Sequence, residues 1–433
     1  MTATDPAGRP RLGQLLVAGA MLLGIALSAM QAHAQSLDEQ YIFYLTGKCQ
    51  NLHFARDADN DVLPGQAGPH LQAFCSGPPI VGGGNQTTSV GGGAAEEIGS
   101  SAGVDRALKR RRSRLKSDSD PQAAADSATD SELASLGATS VFVSFDYLHE
   151  RQTATAYESG RHSSGFGGLL GVDHRFGTKA LAGIAARYAE QSGTLESGGD
   201  FATHAPGIWV YGSWLPIDRF FIDGALGFDR KGVDTHRTVA LKVVTFGAPG
   251  YPGNVSYNPP PLTASSNTHE RDLTGELHVG YDFPVASLTV GPRAAVTFAH
   301  ADLDGYTETG ATPMTLAVGA QTRASLRSLT GFQATRAINL STGVLVPQLN
   351  ADWVHEYRDD QRMLSAHFAE DLRPQPLEFH FLNNPPDRDW FVVRVAAVAV
   401  FPHGLSAFAA FERTAGNFLI ERHQASLGVR LEL

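Results

Sequence analysis

From about residue 138 to the C-terminus, apolar and polar residues alternate in segments of ten or more, each bounded by turn residues. A period of two puts successive side chains on opposite faces of a β-strand. The last segment is the plainest. Leu419, Ala425, Leu427, Val429, Leu431 and Leu433 take odd positions, while Arg422, Gln424, Ser426, Arg430 and Glu432 take even ones. One face suits lipid and the other suits water. Glu421 and His423 interrupt the apolar face near one end, where a membrane boundary would fall. Upstream, Phe391, Val393, Val395, Ala397, Ala399 and Phe401 oppose Arg394. Leu273, Leu277, Val279, Tyr281 and Phe283 oppose Thr274, Glu276, His278 and Asp282. Phe220, Ile222, Leu226 and Phe228 oppose Asp223 and Asp229, and Leu345, Leu349, Trp353 and Tyr357 oppose Gln348, Asn350, Asp352 and Glu356.

This pattern predicts twelve strands, at about 139–150, 164–176, 179–191, 204–215, 219–236, 269–283, 286–300, 316–336, 340–357, 388–402, 404–414 and 419–433. Tight turns at 177–178, 216–218, 284–285, 337–339 and 402–403 alternate with polar loops at 151–163, 192–203, 237–268, 301–315, 358–387 and 415–418. Short turns on one side and long loops on the other are the habit of an outer-membrane barrel, and an even strand count leaves both ends in the periplasm. Phe145, Tyr147, Phe176, Tyr188, Trp214, Phe220, Tyr281, Trp353, Tyr357 and Phe401 lie near strand ends and suit interfacial girdles. The competing reading makes them the core of a soluble sandwich. The expected fold class is all-β: a 12-stranded antiparallel transmembrane β-barrel over 138–433, with a largely unstructured N-terminal segment and a short basic helix before it.

The chain's first residues read as an address. Arg9 and Arg11 precede an apolar run, Leu12 to Met30, and Ala32-His33-Ala34 forms a small-residue cleavage site. Residues 1–34 therefore read as a signal peptide for the Sec translocon, with a single membrane anchor as the alternative. The mature chain then meets oxidising conditions, and its two cysteines, Cys49 and Cys75, are expected to pair; two unpaired thiols are the other possibility. Residues 35–137 read as a short passenger and linker. Within them, Asp57-Ala58-Asp59-Asn60-Asp61 opens like a calcium loop, yet Val62 stands where the sharp turn needs Gly and Gly68 where a bidentate Glu belongs. A solvated acidic turn is the preferred reading. Residues 77–101 are a Gly/Ser/Thr-rich linker. A basic helix follows, bearing Arg106, Lys109, Arg110, Arg111, Arg112, Arg114 and Lys116, and then an acidic spacer at 117–135 with a disordered composition.

Composition narrows the function classes. Charged residues make up only 18% and Gly counts 46 of 433 residues. A mean hydropathy of −0.14 excludes a polytopic helical membrane protein. A net charge of −10 argues against nucleic acid as a partner. No G-x-S-x-G, H-E-x-x-H, Walker loop or dinucleotide fingerprint occurs, so no catalytic residue, cofactor or metal is expected. Asp234 with His236, and His269 with Glu270, are pairs that any polar loop supplies.

Several motifs carry a resemblance: Leu277-His278-Val279-Gly280-Tyr281; Asp302-Leu303-Asp304-Gly305-Tyr306-Thr307-Glu308; and Gly343 to Pro347 running into Trp353-Val354-His355-Glu356-Tyr357. With them, residues 273–433, and less sharply 139–272, resemble the autotransporter β-domain, the translocator of type V secretion. The resemblance implies a barrel in outer-membrane lipid with a hydrophilic pore, inserted by the outer-membrane barrel assembly machinery. It also implies an upstream segment held in the pore and carried to the cell surface. Parity points Asp223, Asp229, Glu276, Asp282, Asp352 and Glu356 inward, together with Arg187, Arg293, Arg323, Arg327, Arg394, Arg422 and Arg430. Opposite charges would pair there across a wet lumen, and the basic helix would lie against the acidic sector; a solvated extracellular or periplasmic helix and disorder are the competing readings. The expected function is export or display of the short N-terminal segment. The alternatives are an adhesive or structural barrel whose loops meet an unknown extracellular ligand, and a gated pore.

Overall fold

The computed structural model describes residues 49–76, 81–82, 138–239, 243–245, 255–257 and 262–433. Twelve long strands build the wall: β1 (Thr139–Gln152), β2 (Arg161–Phe176), β3 (Ala180–Leu195), β4 (Gly199–Trp214), β5 (Phe220–Val239), β6 (Leu262–Tyr281), β7 (Leu288–Leu303), β8 (Gln321–Thr335), β9 (Gly343–Glu356), β10 (Asp389–Val400), β11 (Leu405–Ala415) and β12 (Ile420–Glu432). Each pairs antiparallel with its successor, and β12 returns to β1 from Ser140↔Glu432 to Gln152↔Ile420. The cylinder is closed, so its backbone groups are satisfied without water and no edge is left for lipid to meet.

The wall is inverted relative to a soluble protein. Along β1, Ser140, Phe142, Ser144, Leu148 and Glu150 are buried while Val141, Phe145 and Tyr147 are exposed. Such an apolar exterior suits lipid, and large hydrophobics recur on the outer face of most strands, although the outer positions of β8 are mainly small or polar, with Leu326 and Phe332 the large ones. The interior is not uniformly polar. Phe142, Leu169, Leu181, Trp209, Tyr211 and Phe221 form an apolar cluster inside the β1–β5 half. Glycine makes room for it. A Cβ at Gly171 would stand 2.4 Å from the Phe142 ring, and one at Gly227 would stand 2.2 Å from the Trp209 ring.

One end of the cylinder carries the compact connections 177–179, 215–219, 282–287, 336–342 and 401–404, and there Leu433 donates its N–H to Thr139 O at 2.9 Å. The other end carries 153–160, 196–198, 240–261, 304–320, 357–388 and 416–419. The long connections mark this second end as the outer one. The expected alternation of short and long connections is looser than the sequence suggested. Residues 192–203 do not form a long loop; β3 and β4 run to Leu195 and from Gly199, with Gly198 and Gly199 at φ +95° and +113° making the reversal. The physical reason is that strand ends beyond the bilayer meet water on both faces, so their polar composition imitates a loop. Similarly, β6 begins at Leu262 rather than 269.

The span 316–336 is also two elements rather than one. Leu316–Val318 leaves the wall and joins a small sheet in the order Tyr306–Thr307, Leu316–Val318, Met363–Phe368, Phe379–Leu382. This platform, built from two outer loops, stands over the outer mouth.

Candidate functional site

The inner wall is a mosaic of paired charges. Asp223, Asp229, Glu276, Asp282, Arg293, Arg323, Asp352, Glu356 and Arg430 are buried on it, and Arg187, Arg327, Arg394 and Arg422 are partly buried there. The pairs run along the wall between neighbouring or next-neighbouring strands, rather than across the lumen. Arg327 meets Glu356 at 3.0 Å and Arg422 meets Glu150 at 2.6 Å between adjacent strands, and Arg394 pairs likewise with Glu412. Arg187 on β3 reaches Asp229 on β5 at 3.4 Å, and Arg293 on β7 reaches Asp352 on β9 at 2.9 Å. Each of these two pairs spans one intervening strand, and each passes over a glycine. A Cβ at Gly207 would stand 1.8 Å from Asp229 Oδ1, and one at Gly331 would stand 2.5 Å from Asp352 Oδ1. Asp223 accepts from Ser213 Oγ at 2.6 Å, Asp282 accepts from Gln333 Nε2 at 2.5 Å, and Glu276 lies 3.2 Å from His278.

Sequence reasoning missed further members of this mosaic. Glu150 holds Arg161 as well as Arg422; Asp173 holds Arg430; Lys231 sits between Glu270 at 2.7 Å and Asp272 at 3.2 Å, with Arg323 on the far side of Glu270. Their parity was available. Arg161 falls in a span whose composition reads as a loop, Glu270 reads only as a rim pair with His269, and the others lie on strands where the apolar face carries the signal. The basic candidates Arg106, Lys109, Arg110, Arg111, Arg112, Arg114 and Lys116, like the signal peptide, lie outside the described residues.

Above the mouth sits a small folded unit, residues 49–76. Cys49 and Cys75 form a disulfide with S–S 2.09 Å and Cα–Cα 5.2 Å. Helix α1 (Pro69–Ser76) follows a turn in which Asp57 Oδ1 accepts the N–H groups of Asp59 and Asp61 at 3.0 and 2.9 Å. The acidic stretch thus caps its own backbone. So short a segment cannot bury a core alone, and it borrows one from the platform. Leu52, Phe54 and Leu71 share a single apolar cluster with Leu316, Phe368 and Phe379.

Polar contacts fix the docking. Glu370 accepts from Leu71 N at 2.6 Å and from His70 Nδ1 at 2.7 Å, so it caps α1 from another part of the chain. Gly68 N donates to Glu370 O at 2.7 Å, and a Cβ at Gly68 would stand 2.9 Å from the Glu370 side chain. Arg373 donates to Leu52 O at 2.7 Å, lies 4.5 Å over the Phe54 ring, and is itself gripped by Asp371. The platform is tied to the barrel by Arg237, which donates to Glu308 at 2.8 and 2.5 Å and to Met314 O at 3.1 Å. Beside this pair, burial pushes the Tyr306 hydroxyl well above the ordinary tyrosine range, and the Glu308 charge adds to the shift.

The described residues include no helix long and apolar enough to cross a membrane. Among solved structures, the translocator domain of the autotransporter NalP from Neisseria meningitidis matches with a TM-score of 0.52 and 13% identity, over 78% of this chain and all of that one. The β domain of the Bordetella autotransporter Brka matches at 0.45 and 15% identity, over 68% of this chain and all of that one. The transport unit of AIDA-I from Escherichia coli matches at 0.42 and 13%, over 68% of this chain and 90% of that one. No curated protein sequence matches. The family model described as the autotransporter beta-domain matches residues 141–412. A closed twelve-stranded cylinder, apolar outside and charged within, is the architecture that this match requires, and the chain belongs to the autotransporter β-domain family of Gram-negative outer-membrane translocators.

Proposed function

We propose that this barrel carries its own N-terminal unit, residues 49–76, through the bore and keeps it docked on the outer loops. The observation that carries the reading is the position of two chain segments. Ala138 accepts a hydrogen bond from Arg175 N at the periplasmic end, while Cys49 to Ser76 pack on loops 304–320 and 357–388 at the outer end. The intervening chain must join opposite ends of the cylinder. A Gly/Ser-rich, then strongly charged segment cannot cross beside the wall, because every unsatisfied polar group in hydrocarbon costs several kcal/mol. The bore is the wet route, and its carboxylates suit a basic segment in transit. On this reading Arg106 to Lys116 lies within it.

Export of this kind calls on the Sec translocon before the barrel forms and on the barrel assembly machinery as it forms. An epitope inserted at Gly65 provides the test, since that turn is open, at φ +83° with nothing near its Cβ position. On intact cells, antibody and added protease should reach it. Labelling only after the outer membrane is permeabilised would place the unit in the periplasm and defeat the reading. The docked unit also favours a second reading, a pore closed by a lid, in which docking and not delivery is the function.

A further inference from the structure

The exterior of β5, β6 and β7 carries a charged feature that translocation does not use. Phe228 faces Leu273 across the β5–β6 pair, and two residues nearer the outer end Arg230 faces Arg271. All four side chains point away from the bore and are exposed. On β7, Phe298 lies over Gly275, extending the apolar shelf formed by Phe228 and Leu273. Residues in direct register stand with Cβ atoms about 5 Å apart, and like charges so placed repel. Arg271 is partly compensated. It donates to Asp304 at 3.1 Å, and Asp302 lies opposite it on β7. Asp302 is in turn engaged by Thr322 at 2.8 Å and lies 3.4 Å from His300. For Arg230, no ion pair with a carboxylate forms among the described residues.

The level of the pair is informative. It stands immediately above exposed apolar side chains, at the height where the outer bilayer surface meets water. Two guanidiniums in register, one of them uncompensated, present the fork geometry that grips a phosphate through charge-assisted hydrogen bonds. We infer that Arg230 and Arg271 seat a phosphate of a phosphorylated outer-leaflet lipid, with its acyl chains laid on Phe228, Leu273 and Phe298. The seat is independent of what the bore carries.

Native mass spectrometry of the purified full chain, titrated with a diphosphorylated glycolipid, its dephosphorylated form, and inorganic phosphate, tests this. The wild type should retain the phosphorylated lipid at least about tenfold better than the Arg230→Gln/Arg271→Gln double variant, the loss expected for charge-assisted hydrogen bonds. Arg413→Gln, which removes an exposed arginine paired with Glu421 elsewhere on the exterior, should bind as the wild type does. A heat-modifiable gel shift establishes that each variant is folded. Equal retention by the double variant overturns the proposal, as does equal retention of the dephosphorylated lipid. Displacement of the lipid by equimolar inorganic phosphate would mark a free-anion seat and overturn it too.

Discussion

At the scale of single residues, the most consequential contact is made by Glu370. Its two carboxylate oxygens serve the backbone of Leu71 and the ring of His70, so one side chain caps a helix that it does not belong to. Glu370→Ala leaves the first turn of α1 without its acceptor, a loss of about 1–2 kcal/mol. The expected outcome is faster proteolysis of residues 49–76 with an unchanged heat-modifiable shift of the barrel, read on one gel. The inner wall is the complementary case. There, parity alone assigned Asp223, Asp352 and Arg430 to the interior, because a strand fixes which way each second side chain points. Parity could not say which charges pair. Arg187 reaches Asp229 only because Gly207 leaves the path open, and a glycine inside a strand looks in sequence like a weak position.

At the scale of elements, the twelve strands were legible where lipid imposes an apolar face and illegible where it does not. β3, β4, β5 and β6 rise past the bilayer, and there the alternation fades although the hydrogen-bonded ladder continues. The platform was hidden for another reason. Leu316–Val318 pairs with Met363–Phe368, across two loops, and no local pattern announces a partner so far along the chain. Its core includes the partly buried Tyr306 ring, whose hydroxyl is held neutral by burial. The sign of the pH effect follows. Below about pH 10 the phenol is neutral whether the platform is folded or open. Above that value the open form ionises and the folded form resists, so the platform loses stability as pH rises. Near-ultraviolet circular dichroism between about pH 10 and pH 12 should show outer-loop loosening before barrel unfolding. Tyr306→Phe should flatten that early change.

At the scale of the whole molecule, both ends of the barrel lie at one mouth and the N-terminal unit lies at the other. On the proposed reading, in which residues 104–116 occupy the bore, deleting them is expected to raise single-channel conductance in planar bilayers, because the aqueous path widens. Unchanged conductance would count against occupancy of the bore by that segment. The disulfide was legible from cysteine count and compartment. The place where its unit docks was not, since Glu370 and Arg373 lie some three hundred residues away and contribute nothing to the local pattern around Cys49.

Closure has a consequence for how the protein is made. β12 alone pairs with both β11 and β1 and so closes the ring. A chain deprived of β12 has first and eleventh staves that both lack a neighbour. Such a product has nothing with which to complete its ring, and is fated for degradation rather than residence. The thirteen residues Ile420–Glu432 thus decide whether a ring exists at all.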